Sequence, residues 1–134
     1  MSISMSGLDC HGAGVALRET LAFSKEQVLE MLTKLRAQPG VEGCVLLSTC
    51  NRTELYLSGS PEMSPWRLLC RCAGAPEQAL EPFFTTRMGE DAAQHLMQVA
   101  CGLHSQILGE DQIITQVRIA MELSQQQNTL DPTL

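Results

Sequence analysis

A single domain mixing β-strands with α-helices is what this sequence predicts, and three observations carry the reading. A chain of 134 residues can enclose one core of its own and is too short for two ordinary domains. Alternating or continuous apolar runs mark strands at 2–8, 43–49, 53–58 and 83–86. Helical stripes with recognisable starts and stops fill the intervals and the C-terminal third.

Residues 2–8, SISMSGL, alternate polar and apolar side chains, the period of a half-buried strand. The following DCHGAGV, 9–15, is glycine-rich and reads as a loop. Ser24 with Gln27 three positions later forms a capping-box pattern, and Val28, Met31, Leu32 and Leu35 fall on one helical stripe that Pro39 and Gly40 end. Residues 43–49 form a nearly continuous apolar run suited to a central strand, whereas 53–58, TELYLS, alternates. Only Cys50, Asn51 and Arg52 lie between them, which predicts a tight hairpin with Cys50 near its tip and Asn51 in the turn.

Ser64 and Pro65 start a short second helix, with proline in the first turn where its missing N–H costs little, and Gly74 stops it. A proline-bounded segment, 76–82, leads into FFTT at 83–86 as the last strand. Glu90 and Asp91 suit the positive end of a third helix with Ala92, Leu96, Val99 and Leu103 as its stripe and Gly102 at its end. A further helix is expected from about Glu110 to 124. Residues 1–124 are then one domain, and 125–134, QQQNTLDPTL, a tail or the start of a truncated linker helix.

Composition narrows the function classes. Hydrophobic residues make up 44% and charged residues 18%, an ordinary globular balance with an aliphatic core, since aromatics are 4%. The formal net charge of −6 argues against a module whose main task is coating nucleic acid. No basic and apolar leader and no run near the ~20 apolar residues of a membrane span is present, so a cytoplasmic protein is expected. The cysteines at 10, 44, 50, 70, 72 and 101 lie in apolar segments and read as free thiols. Cys70 and Cys72 have no second pair or histidine cluster to complete a zinc site, so no metal is expected.

The segment STCNRTELYL, 48–57, carries the chemistry. A lone cysteine at a strand end is ordinarily a small buried hydrophobe. Against that, Arg52 two residues away would stabilise a thiolate, and Thr49 and Asn51 add hydrogen-bonding groups that an inert thiol does not use. His95, beside Gln94 and Gln98 at the border of its helix stripe, is either a boundary histidine satisfied by water or a general acid and base. The stretch 102–117, GLHSQILGEDQIITQV, is either a connection between helices or a ligand grip made of hydroxyl, amide and carboxylate groups at a helix start. No GxGxxG fingerprint occurs, so no dinucleotide site is expected within the chain.

Taken in order, GL at 7–8, LRETLAFS at 17–24, STCNRTELYL, HLMQVACGL and SQILGEDQIITQV make the sequence similar to glutamyl-tRNA reductases over nearly its whole length, as their N-terminal catalytic domain. The resemblance implies a ferredoxin-like α+β fold, an antiparallel sheet with packed helices and extra C-terminal helices. It also implies the NADPH-dependent reduction of glutamyl-tRNA to glutamate-1-semialdehyde, the first step of tetrapyrrole biosynthesis. By the same resemblance Cys50 matches the nucleophile that holds glutamate as a thioester, and His95 a histidine important for activity. Thr49, Asn51, Arg52, Ser105, Glu110, Asp111, Gln112 and Gln116 match substrate-binding positions. NADPH would be bound by a domain absent from this chain. A homodimer formed through another absent domain, and a downstream aminomutase, are the further partners implied.

The sequence also departs from the family pattern. GLDCHGAGVA at 7–16 stands where GLNHKTAPVE is usual, with Cys10 at the histidine position and His11 displaced by one. His104 replaces an aspartate, and Gln98 an arginine. Without the remaining domains the expected chemistry stops at transacylation or hydrolysis, and the end of the chain within helix-like sequence favours an excised piece. Two alternatives are a diverged domain of the same fold serving interaction or regulation, and a stand-alone thiol hydrolase or acyltransferase.

Overall fold

The computed structural model describes residues 3–9, 21–49, 52–100 and 112–126. In chain order these form β1 (Ile3–Asp9), α1 (Lys25–Arg36), β2 (Val41–Ser48), β3 (Arg52–Gly59), α2 (Pro65–Ala73) and α3 (Glu77–Leu80). A 3-10 turn (Glu81–Phe83), β4 (Thr85–Met88), α4 (Glu90–Ala100) and α5 (Gln112–Gln126) follow. The four strands pair antiparallel in the order β2-β3-β1-β4. A βαββαβ chain with that order is the ferredoxin-like α+β arrangement, with α4 and α5 added after it.

Strand periodicity sends alternate side chains to opposite faces of the sheet, and both faces are covered. Leu8, Cys44, Leu46, Leu55 and Leu57 point to one face, where Val28, Met31, Leu32 and Leu35 of α1 and Trp66 and Leu69 of α2 close the larger core. Met5, Val45, Leu47 and Tyr56 point to the other, under Ala92 and Val99 of α4 and Ala120 of α5. This second layer explains a difference from the sequence reading: 53–58 alternates as a half-buried strand would, yet every residue of β3 is buried. Glu54 meets His95 of α4 on one face, and Thr53 donates its hydroxyl to Leu21 O on the other, so neither faces water.

The helix ends follow local chemistry. Ser24 Oγ accepts from Gln27 N–H at 3.2 Å while Gln27 Oε1 accepts from Ser24 N–H at 2.8 Å, the reciprocal pair expected of the capping box. Gly74 adopts φ 69° after α2, and Ala75 N–H reaches back to Cys70 O at 2.9 Å, a left-handed stop that glycine takes without strain.

Two boundaries move. The last strand is Thr85–Met88 rather than 83–86, because Phe83 ends the 3-10 turn and Phe84 stacks on Trp66 with ring centroids 5.7 Å apart. Arg52 is the first residue of β3 rather than part of the hairpin tip. The loop at 10–15 and the helix stop at Gly102 lie outside the described residues. Among the described residues no helix is long and apolar enough to cross a membrane.

Candidate functional site

β3 supplies Arg52, Glu54 and Tyr56 to one side of the sheet, since residues two apart share a face. Glu54 sits between Gly7 of β1 and Leu47 of β2, and Tyr56 between Met5 and Val45. Gly7 makes room for the glutamate: a Cβ at that position would lie 2.7 Å from Glu54 Cγ, closer than carbon atoms pack. α4 crosses this face with Ala92, His95 and Val99 buried. His95 is therefore a core residue, which excludes one of the two readings of the sequence, a boundary histidine satisfied by water.

These side chains form one hydrogen-bonded cluster. Arg52 Nη1 donates to Glu54 Oε2 at 3.2 Å, His95 Nε2 lies 2.7 Å from the same oxygen, and the Tyr56 hydroxyl donates to Oε1 at 2.8 Å. Exposure is 1% for Arg52, 2% for Glu54, 1% for Tyr56 and 7% for His95, so the charges interact with little screening by water. Burial by itself would push the Glu54 carboxyl up. The hydrogen bond and charge of His95, the charge of Arg52 and the Tyr56 phenol outweigh it and hold the carboxyl below its ordinary value. Burial and the neighbouring carboxylate push the Tyr56 phenol far up, so it remains a neutral donor.

Thr49 holds the open end of this arrangement. Its N–H donates to Arg52 O at 2.9 Å and its Oγ1 accepts from Arg52 N–H at 3.2 Å, so the two residues face each other across the β2–β3 connection. Among the described residues no group of three or more His, Cys, Asp or Glu side chains is placed to hold a metal ion. Cys70 and Cys72 are free thiols and Cys44 Sγ donates to Leu32 O at 3.7 Å; burial, seconded by the Glu77 charge, pushes Cys70 up to about 11.

The family described as Glutamyl-tRNAGlu reductase, N-terminal domain, matches residues 6–134. The chain belongs to the glutamyl-tRNA reductase family. It is 41% identical over 136 residues to the glutamyl-tRNA reductase of Acetivibrio thermocellus, covering 100% of this chain and 41% of that protein. It is 42% identical over 137 residues to a probable multifunctional siroheme biosynthesis protein of Ruminiclostridium josui, covering 100% of this chain and 27% of that one. The solved structure of the glutamyl-tRNA reductase from Methanopyrus kandleri superposes with a TM-score of 0.71 at 30% identity, over 97% of this chain and 30% of that one. The chain thus spans well under half the length of these relatives.

Within this reductase domain the structure brings together Thr49, Arg52 and His95 from the residues singled out in the sequence. Gln112 and Gln116 lie on the first turns of α5, which packs beside β2. Cys50, Asn51, Ser105, Glu110 and Asp111 lie outside the described residues, as do Cys10, His11 and His104. Gln98 is half-buried on α4. Sequence reasoning missed Glu54 and Tyr56. The signal was present in STCNRTELYL, where Arg52, Glu54 and Tyr56 fall on one strand face, and a carboxylate inside an apolar strand calls for cationic partners.

Proposed function

We propose that this domain captures glutamate from glutamyl-tRNA as a thioester on Cys50, the acyl-transfer half of a glutamyl-tRNA reductase. The observation that carries the reading is the buried Arg52–Glu54–His95 cluster, bonded to Thr49 at the strand end from which Cys50 is one peptide unit away. Cys50 follows Thr49 directly in the sequence and stands two positions before Arg52, so the chain joins the nucleophile of this reading to the strand end that carries the cluster. The Cys50 sulfur attacks the ester carbonyl, a C–S bond forms, and the C–O bond to the terminal ribose breaks. The thiol proton passes through His95 to the departing ribose oxygen.

Arg52 supplies positive charge that favours the thiolate and attracts the glutamate side-chain carboxylate. One of its nitrogens is already committed to Glu54, so the guanidinium enters the site with its orientation set. Thr49, Asn51, Ser105, Glu110, Asp111, Gln112 and Gln116 complete the substrate pocket in this reading. Glutamyl-tRNA is the substrate and NADPH the reductant of the whole enzyme, which would work in the cytoplasm. NADPH does not fit the residues described here: the sheet is wholly antiparallel and lacks the parallel strand-to-helix turn that receives a dinucleotide pyrophosphate. Reduction, homodimer formation and any hand-over to an aminomutase are not assigned to the residues described here, and the chain spans well under half the length of its reductase relatives.

Incubation with glutamyl-tRNA followed by intact-mass analysis tests the reading. A glutamyl adduct that disappears in Cys50→Ser is expected, and an equal adduct in the variant would overturn the assignment. Arg52→Lys should weaken glutamyl-tRNA capture, because a point charge does not reproduce the fork of donors. If it does not, and if Cys50 alkylates no faster than the other thiols, the domain is a non-catalytic interaction module.

A further inference from the structure

We propose that Glu54 and Tyr56 are positioning residues that fix the tautomer of His95, so that its imidazole handles the reaction's proton at Nδ1. The inference rests on the role given to His95 above and names the atom through which it acts.

Glu54 Oε2 lies 2.7 Å from His95 Nε2 and 3.2 Å from Arg52 Nη1, and Oε1 receives the Tyr56 hydroxyl at 2.8 Å. An ionised carboxylate only accepts hydrogen bonds, so the imidazole nitrogen facing it must carry hydrogen. The state of Glu54 follows from its neighbours: with its carboxyl held below the ordinary value, it is ionised at neutral pH. Nε2 therefore keeps its hydrogen whether the ring is neutral or cationic, and Nδ1 is where a proton is gained or lost. In the transfer, the proton leaving the Cys50 thiol arrives at Nδ1 and departs from Nδ1 to the ribose oxygen, while Nε2–H stays on Glu54.

Tyr56 and Gly7 keep this pairing in register. The phenol anchors Oε1, which stops the carboxyl group from turning away from His95, and its ring is buried beside Met5 and Val45. Gly7 leaves space that the Glu54 side chain uses, since a Cβ there would lie 2.7 Å from Glu54 Cγ. The carboxylate is thus held from two sides, as a group that must orient another residue has to be.

Nitrogen-15 spectra of the full 134-residue chain, labelled at histidine, decide the tautomer, with His11→Gln and His104→Gln used for assignment. The expected result is a neutral His95 with hydrogen on Nε2; hydrogen on Nδ1 would overturn the proposal. Glu54→Gln should mix the two tautomers and slow formation of the Cys50 adduct by roughly a hundredfold. Tyr56→Phe should mix them partly and slow the adduct less. Mixed tautomers with an unchanged adduct rate would also overturn it. Should Glu54→Gln not fold, the parent spectrum and Tyr56→Phe still decide. No adduct in the parent protein, with hydrogen on Nε2, would instead sink the acyl-transfer reading and leave the tautomer assignment standing.

Discussion

Glu54 lies in the middle of a covered sheet, where a lone carboxylate would be strongly unfavourable. Three donors offset that cost, and Arg52 is the permanently charged one. Arg52→Ala is expected to destabilise the domain by about 3 kcal/mol or more, because Glu54 would lose its permanent cation while staying buried. Chemical denaturation with circular dichroism checks this. The thiols provide a second measurement at this scale. With its pKa pushed up to about 11, Cys70 should react with iodoacetamide at pH 7.5 far more slowly than Cys50, which stands two positions before Arg52 in the sequence. Peptide mapping after brief alkylation reads the ratio, and equal labelling would contradict a thiolate at position 50.

At the scale of elements, sequence order specified most of what formed. The capping box of Ser24 and Gln27, the stripe Val28, Met31, Leu32 and Leu35, and the glycine stop at Gly74 each depend on residues a few positions apart, so they were legible without tertiary information. Ser24→Ala should cost about 1 kcal/mol through the lost cap, read as a lowered denaturant midpoint at unchanged slope. What stayed hidden was contact between distant elements. Helix periodicity leaves His95 at the border of its stripe because it does not reveal that α4 lies over β3, and the period-two pattern at 53–58 marks faces without saying what covers the second one. Phe83 and Phe84 resembled a strand until the stacking partner Trp66 was in place. The half of the site on β3 and α4 thus followed from packing, whereas the Cys50 and Arg52 spacing was local and could be read directly.

For the whole molecule, the buried cluster ties stability to pH. The Glu54 carboxyl is depressed in the folded state, so its contribution is complete above the unfolded-chain value of about 4.3 and disappears as pH falls through the lower folded value. The Tyr56 phenol is raised, so its contribution holds below about 10 and declines as pH rises beyond it. Urea midpoints measured across pH should form a plateau between these limits, and Glu54→Gln should flatten the acid side. The net charge of −6 sets a second global property: the domain alone should bind tRNA weakly, with the complex dissolving as salt is raised to physiological strength. Filter binding over a salt series checks this, and tight binding at 150 mM salt would contradict it.

Gly7 and Glu54 occupy one volume between them, the side chain absent from one strand being the space filled by its neighbour across the ladder. The two positions therefore form a lock in evolutionary terms. A side chain at position 7 would force the Glu54 side chain to shift, and Glu54 is the group that His95 meets. Divergence at these paired sites would distinguish descendants that kept the chemistry from those that kept only the fold.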